Sequence, residues 1–264
     1  MHTNNTQFSG SWAVILGGSS GFGLAAIEKL AAHGMNIAVL YREMSAQERP
    51  LKQNLAQVAQ QNKVTIAPFN INALDAASRI SFIENITATI PKSGVKLLLH
   101  SIARGNLKPL TGSEELSVED IQLTTYAMST SILDWARDLL RAGMFNADAR
   151  IIGLTSEGSH KYWEGYAAVS IAKSSLESLT TYMAVELSKF GLKTNLIQAG
   201  ITETPSLMRI PDSQKLLETA AKRNPFGRMT KPSDVANVIY LLCTDEAAWI
   251  NGTVIHVDGG EHCR

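Results

Sequence analysis

The stretch GYAAVSIAKSS (165–175) sets a phenol, Tyr166, and an ammonium, Lys173, seven residues apart on a segment with helical spacing. A helix turns about 100° and rises about 1.5 Å per residue, so seven steps bring the two side chains to within about 20° of one another and roughly 10.5 Å apart along the axis. A spacing of four would leave them about 40° and roughly 6 Å apart. Both spacings keep one face, but the longer one moves the phenol about 4.5 Å farther from the lysine. Such a pair can do acid–base chemistry. The lysine charge biases the phenol, and the phenol can donate to an oxygen on which charge develops. His100, a lone histidine closing an apolar run, reads as structural, and no His, Cys, Asp or Glu spacing suggests a metal.

The elements that must position this pair alternate along the chain. WAVIL (12–16), NIAVLY (36–41), KVTIAPF (63–69), VKLLLH (95–100), ARIIGLTS (149–156), KTNLIQAG (193–200) and TVIHVDGG (253–260) are apolar at consecutive positions, as strands buried on both faces are. Helical stretches separate them: LAAIEKLAAHG with Gly34 as a stop, then segments near 46–61, 74–90, 113–143, 165–190 and 232–243. Gly191 ends the fifth of these, and Pro232 with Ser233 and Asp234 starts the last. Regular β–α alternation implies an α/β fold with a doubly wound parallel sheet, a Rossmann fold. No linker, repeat or low-complexity segment divides residues 1–264, which read as a single domain.

Bulk properties exclude several classes of partner. The chain carries 24 basic and 24 acidic residues, so charge gives no reason to expect nucleic acid or a membrane surface. No apolar run is long enough to span a bilayer, and MHTNNTQFSGSW lacks the features of a secretory signal. Cys243 and Cys263 show no redox or metal spacing, which fits reduced thiols in a cytoplasm. The Asn-x-Thr triplets at Asn85 and Asn251 read as chance.

Directly after the first strand comes GGSSGFG: Gly17, Gly18, Ser19, Ser20, Gly21, Phe22 and Gly23. Glycines between a strand and a helix let backbone amides approach a pyrophosphate at the helix N-terminus. The second strand ends at Leu40-Tyr41 with Arg42 next, and no acidic residue closes it. An acidic residue there would bind the ribose hydroxyls of NAD, whereas arginine favours a 2′-phosphate, so NADPH is expected over NADH.

With Gly17-x3-Gly21-x-Gly23 and NPFGRMTKPSDVANVIYLLCTDEAAWINGTVIHVDGG (224–260), the chain resembles a short-chain dehydrogenase/reductase nearly end to end. Three departures resemble the enoyl-acyl-carrier-protein reductases in particular. His100-Ser101-Ile102-Ala103 replaces the usual Asn-Asn-Ala-Gly, Ala199-Gly200 replaces Pro-Gly, and the Tyr-x6-Lys spacing replaces Tyr-x3-Lys. SEGSHKYWEGYAAVSIAKSSLESLTTYMAVELS is similar to their NADPH-using subgroup. The NADH-using members carry a second tyrosine ten residues before the first, where this chain has Ser156.

The resemblance implies a set of roles. Tyr166, Lys173 and Ser156 would be catalytic, with Lys173 also holding the nicotinamide ribose. The cofactor would meet the glycine loop, Arg42, Asn70, Ile71, Ser101, Ile102, Ala103, Gly200, Thr202 and Thr204. Tyr162, Leu207 and Met208 would line the acyl pocket, beneath a lid at 205–223. The substrate would be a trans-2-enoyl thioester on acyl carrier protein or CoA. A homotetramer is implied, with Trp135 in a subunit face. Reduction of 3-oxoacyl thioesters or other ketones is the alternative.

Overall fold

The apolar runs fold as strands, and consecutive residues of one strand feed two different cores. In the computed structural model, which describes residues 6–210 and 213–264, Val14 and Leu16 pack with Leu98, Trp135 and Leu139. Ala13 and Ile15 pack on the other face with Leu97, Leu99, Ile27 and Ile239. Each such aliphatic side chain contributes about 1.5–3 kcal/mol relative to exposure. This double burial explains why the pattern is continuous rather than alternating.

Seven parallel strands make one sheet: β1 (Trp12–Leu16), β2 (Asn36–Tyr41), β3 (Ile66–Asn70), β4 (Val95–His100), β5 (Phe145–Thr155), β6 (Leu192–Ala199) and β7 (Val254–Val257). Their order is β3-β2-β1-β4-β5-β6-β7, with Leu16 opposite Leu40 on one side of β1 and His100 on the other. The helices are α1 (Gly21–Ala31), α2 (Ser45–Asn62), α3 (Ala76–Ile86), α4 (Val118–Thr125), α5 (Ser131–Arg141), α6 (Ala167–Glu186), α7 (Ser213–Arg223) and α8 (Pro232–Cys243). The strand order reverses between β1 and β4, which opens a crevice at the carboxyl ends of the strands.

Boundaries differ from expectation where caps decide them. β3 begins at Ile66 rather than 63 because Lys63 takes a left-handed conformation (φ 56°) and caps α2. The expected helix near 113–143 begins only at Val118, where Ser117 and Asp120 form a capping box. A π turn at Tyr126–Thr130 then separates α4 from α5. Trp135 is a core residue, not part of a subunit face. It is fully buried, donates from Nε1 to the Ala73 carbonyl (2.9 Å) and meets Phe82 edge-on.

The amino-terminal end of the sheet is closed by charge. Asp148 binds Lys96 (2.8 Å), Arg150 (2.6 Å) and Lys193. Arg150 also donates to the carbonyls of Leu242 (2.7 Å) and Thr244 (3.2 Å), fastening the end of α8. No described helix is long and apolar enough to cross a membrane.

Candidate active site

The crevice is a cleft of about 560 Å³ running from Arg42 past the glycine loop to Tyr166 and Leu207. Its floor requires glycine. A Cβ on Gly17, whose φ is 86°, would lie 2.4 Å from the Ser101 carbonyl oxygen. A Cβ on Gly23 would lie 2.2 Å from that of Gly17. Ser20 precedes α1 without a side-chain cap, so no side chain competes for the first-turn amides that a pyrophosphate would accept. Ser19, Ser20, Gly21 and Phe22 line the cleft, as do Ser101, Ile102 and Ala103. Arg42 is exposed at the end of β2 and makes no hydrogen bond or ion pair among the described residues. These features fit a nicotinamide dinucleotide.

Asn70 lies off the cleft wall. Its amide accepts from the Glu43 backbone N–H (3.0 Å) and donates to the Glu43 carbonyl (2.9 Å), so it braces the loop that carries Arg42. Ile71 and Asn72 line the cleft in its place.

Lys173 projects from α6, buried, and its Nζ donates to the Leu154 carbonyl (2.7 Å). Burial draws its pKa down to about 8, with Glu177 one turn later opposing the shift. Tyr166 is not inside the helix. It is the N-cap residue (φ −96°, ψ 3°), and its carbonyl accepts the first helical bond from Ser170 (2.8 Å). Gly165 turns the chain just before it with φ 66°. The helical count of 20° and 10.5 Å therefore does not govern this pair. The Tyr166 hydroxyl donates to Ser156 Oγ (3.2 Å), its ring meets Trp163 edge-on at 4.9 Å, and burial raises its pKa. Gly158 makes room: a Cβ there would lie 2.5 Å from the Tyr166 ring. Ser156 Oγ also accepts from the Gly158 N–H (3.2 Å), which leaves its own proton directed elsewhere.

His100 bonds Ser131 Oγ through Nε2 (2.8 Å), and Ser131 donates to the Ala127 carbonyl. Burial, with Lys173 nearby, pushes its pKa down to about 3, so it is neutral. It is a structural hydrogen-bond partner.

On the far wall, Gly200, Thr202 and Thr204 line the cleft. Thr202 Oγ1 donates to the Gly200 carbonyl (2.9 Å), and Thr204 Oγ1 accepts from the Leu207 N–H (3.2 Å). Leu207 is buried against the cleft, whereas Met208 is 51% exposed and off its wall. Tyr162 also departs from expectation. It is 87% exposed, and Trp163 lines the cleft instead. Of the expected lid at 205–223, residues 211 and 212 lie outside the described residues. The rest is a turn at Leu207–Arg209 followed by α7, which buries only Ala220. Sequence reasoning missed Trp163, Leu107, Met128 and Val169, which surround Tyr166 in an apolar cluster. It also missed Glu157, Arg223 and Glu261 beside the reacting end. Among the described residues no group of three or more His, Cys, Asp or Glu could hold a metal.

Comparison with known proteins decides the family. Residues 17–262 match the family described as enoyl-(acyl carrier protein) reductase. The chain belongs to the enoyl-acyl-carrier-protein reductase branch of the short-chain dehydrogenase/reductases. As a short-chain dehydrogenase/reductase it is an oxidoreductase with a nicotinamide-binding Rossmann fold. It is 32% identical over 167 residues to the NADH enoyl-acyl-carrier-protein reductase FabI of Aquifex aeolicus, covering 63% of this chain and 62% of that one. It is 29% identical over 255 residues to the 3-oxoacyl-acyl-carrier-protein reductase FabG of Escherichia coli, covering 96% and 98%. Among solved structures, the Bacillus cereus enoyl-acyl carrier protein reductase with NADP+ superposes with a TM-score of 0.84 at 23% identity, covering 98% of each chain. The Aquifex aeolicus enzyme superposes at 0.83 and 23% identity, also over 98% of each. At such identity these two establish the fold alone.

Proposed function

We propose that this reductase reduces the trans-2 double bond of enoyl thioesters, carried on acyl carrier protein or CoA, with NADPH as hydride donor. The observation that carries the reading is Tyr166. Its buried, protonated hydroxyl donates to Ser156, while Lys173 on α6 donates to the Leu154 carbonyl. The bound dinucleotide would supply hydride to the substrate's Cβ. Charge then develops on the thioester oxygen, three bonds from the hydride acceptor, and a proton taken from solvent completes the reaction at Cα. A carbonyl substrate would instead need the donor at the oxygen bonded to the hydride acceptor.

With substrate bound, Tyr166 turns its one proton from Ser156 Oγ to the thioester oxygen, and Ser156 holds the phenol oxygen by donating to it in return. Lys173, cationic below pH 8, holds the ribose hydroxyls and favours a nearby developing anion. Leu107, Met128, Trp163, Val169 and Leu207 exclude water from the acyl end. Arg42, without a partner among the described residues, favours the 2′-phosphate of NADPH, although the curated relative in Aquifex aeolicus is named for NADH. The exposed stripe Ile171, Tyr182 and Val185 spans about 60° of α6 and supports a homotetramer.

The second reading is reduction of 3-oxoacyl thioesters, favoured by the long alignment with the Escherichia coli 3-oxoacyl reductase. Steady-state rates with crotonyl and acetoacetyl thioesters, each with NADPH and NADH, separate the readings. Fast crotonyl turnover with NADPH is expected. Reduction of acetoacetyl alone would reverse the assignment, and preference for NADH would remove the role given to Arg42.

A further inference from the structure

We propose that Arg223 is a positioning residue that ties the end of α7 to the two loops holding the reacting end of the cleft. The tie is geometric; its effect on turnover rests on the enoyl reductase reading. Arg223 is the last residue of α7 and lines the cleft. Its Nη2 donates to Glu157 Oε2 (2.5 Å) and also to Glu261 Oε1. Both carboxylates are buried, with side chains 10% and 1% exposed.

Each carboxylate stands next to chemistry. Glu157 directly follows Ser156, which holds the Tyr166 hydroxyl. Glu261 accepts from the Ile201 N–H (3.2 Å), and its Oε2 lies against Gly200, where a Cβ would come within 2.7 Å. Ile201 is flanked by Gly200 and Thr202, which face the expected nicotinamide end. One guanidinium nitrogen thus joins three segments that must agree before hydride can move: the lid helix, the loop of Ser156 and the loop of Thr202.

Charge makes the tie specific. Two buried carboxylates share one cationic donor, so both charge-assisted hydrogen bonds depend on the same guanidinium. The other charged groups nearby are Lys161, which bonds Glu157 Oε1 (2.5 Å), and Asp258, which lines the cleft beside Gly200 and bonds His262 (2.6 Å). Neither side chain bonds the Glu261 carboxylate, although the Asp258 carbonyl accepts the Glu261 backbone N–H (3.2 Å). α7 also packs through buried Ala220 and partly buried Leu216 and Leu217 in a small apolar cluster, and Arg223 fixes its end. Removing the guanidinium frees the helix end and leaves the two carboxylates without their shared donor.

The test compares Arg223→Gln, Arg223→Lys and Glu261→Gln with the full-length parent protein. It measures kcat and KM for crotonyl thioester against pH, the Kd for NADPH, and limited proteolysis within α7. Arg223→Gln is expected to lower kcat about tenfold or more while KM and the NADPH Kd change less than about threefold. It should also expose α7 to cleavage. Arg223→Lys should restore most of kcat and the protection of α7. Glu261→Gln, which keeps the shape of the site, should reproduce part of the kcat loss if Arg223→Gln does not fold. Unchanged kcat and unchanged cleavage in both charge-removing variants would overturn the proposal. So would a loss that tracks melting temperature alone, without rescue by lysine. If the parent turns over no enoyl thioester, the functional reading fails, and cleavage of α7 with and without NADPH still decides the tie.

Discussion

Tyr166 stands just outside α6, and its reach is set by a turn rather than by a helix. Gly165 redirects the chain, Ser156 holds the hydroxyl and Trp163 packs the ring. Burial raises its pKa, so the phenol is a donor throughout the neutral range. Tyr166→Phe should therefore lower kcat by about 10²–10³-fold, as removal of one oxyanion donor does. The NADPH Kd should hardly move in that variant, which equilibrium fluorescence titration would check. Gly158→Ala is expected to lower kcat with intact folding, because the new methyl would lie 2.5 Å from the Tyr166 ring. Circular dichroism alongside steady-state kinetics separates that result from general unfolding. That Tyr166, Lys173 and Ser156 line one cleft was legible in the sequence, because their types and spacing stand out there. Tyr162 and Trp163 were not, because an irregular loop decides which of two adjacent aromatics turns inward.

At the scale of elements, α6 and β5 hold the charge of the site. Lys173 is anchored to the β5 carbonyl of Leu154, with its pKa drawn down to about 8 by burial. A lowered lysine pKa means the cation is present below that value and is lost as pH rises through it. NADPH affinity of the free protein is accordingly expected to be flat through neutral pH and to weaken above about pH 8, measured by fluorescence titration across pH. Strands buried on both faces were read closely: β1, β2 and β4 have the expected bounds. Helix ends were read less well, since the capping box at Ser117, the π turn after Thr125 and the left-handed Lys63 depend on a few local hydrogen bonds. Those features leave no mark on hydrophobic periodicity.

Across the whole molecule, the two ends of the sheet have different tasks. The carboxyl end carries the cleft, and the amino end is fastened by Asp148 among Lys96, Arg150 and Lys193. Hydrogen bonds from these cations hold the Asp148 carboxyl well below its usual range, against the opposing effect of burial. Because the folded pKa is depressed, this stabilisation is present above the unfolded carboxylate value of about 4 and is lost as pH falls below it. Asp148→Asn should cost roughly 3 kcal/mol, the low end for breaking buried pairs, because Asp148 is one-third exposed. Urea titrations at neutral and acidic pH should show that penalty shrinking in acid, and an equal penalty at both would contradict it. The most direct measurement follows the hydride itself. With NADPH deuterated at the transferring position and crotonyl thioester as substrate, NMR should find deuterium at C3 of a butanoyl product. Untouched crotonyl thioester, with deuterium delivered only to the carbonyl carbon of acetoacetyl thioester, would contradict the reading.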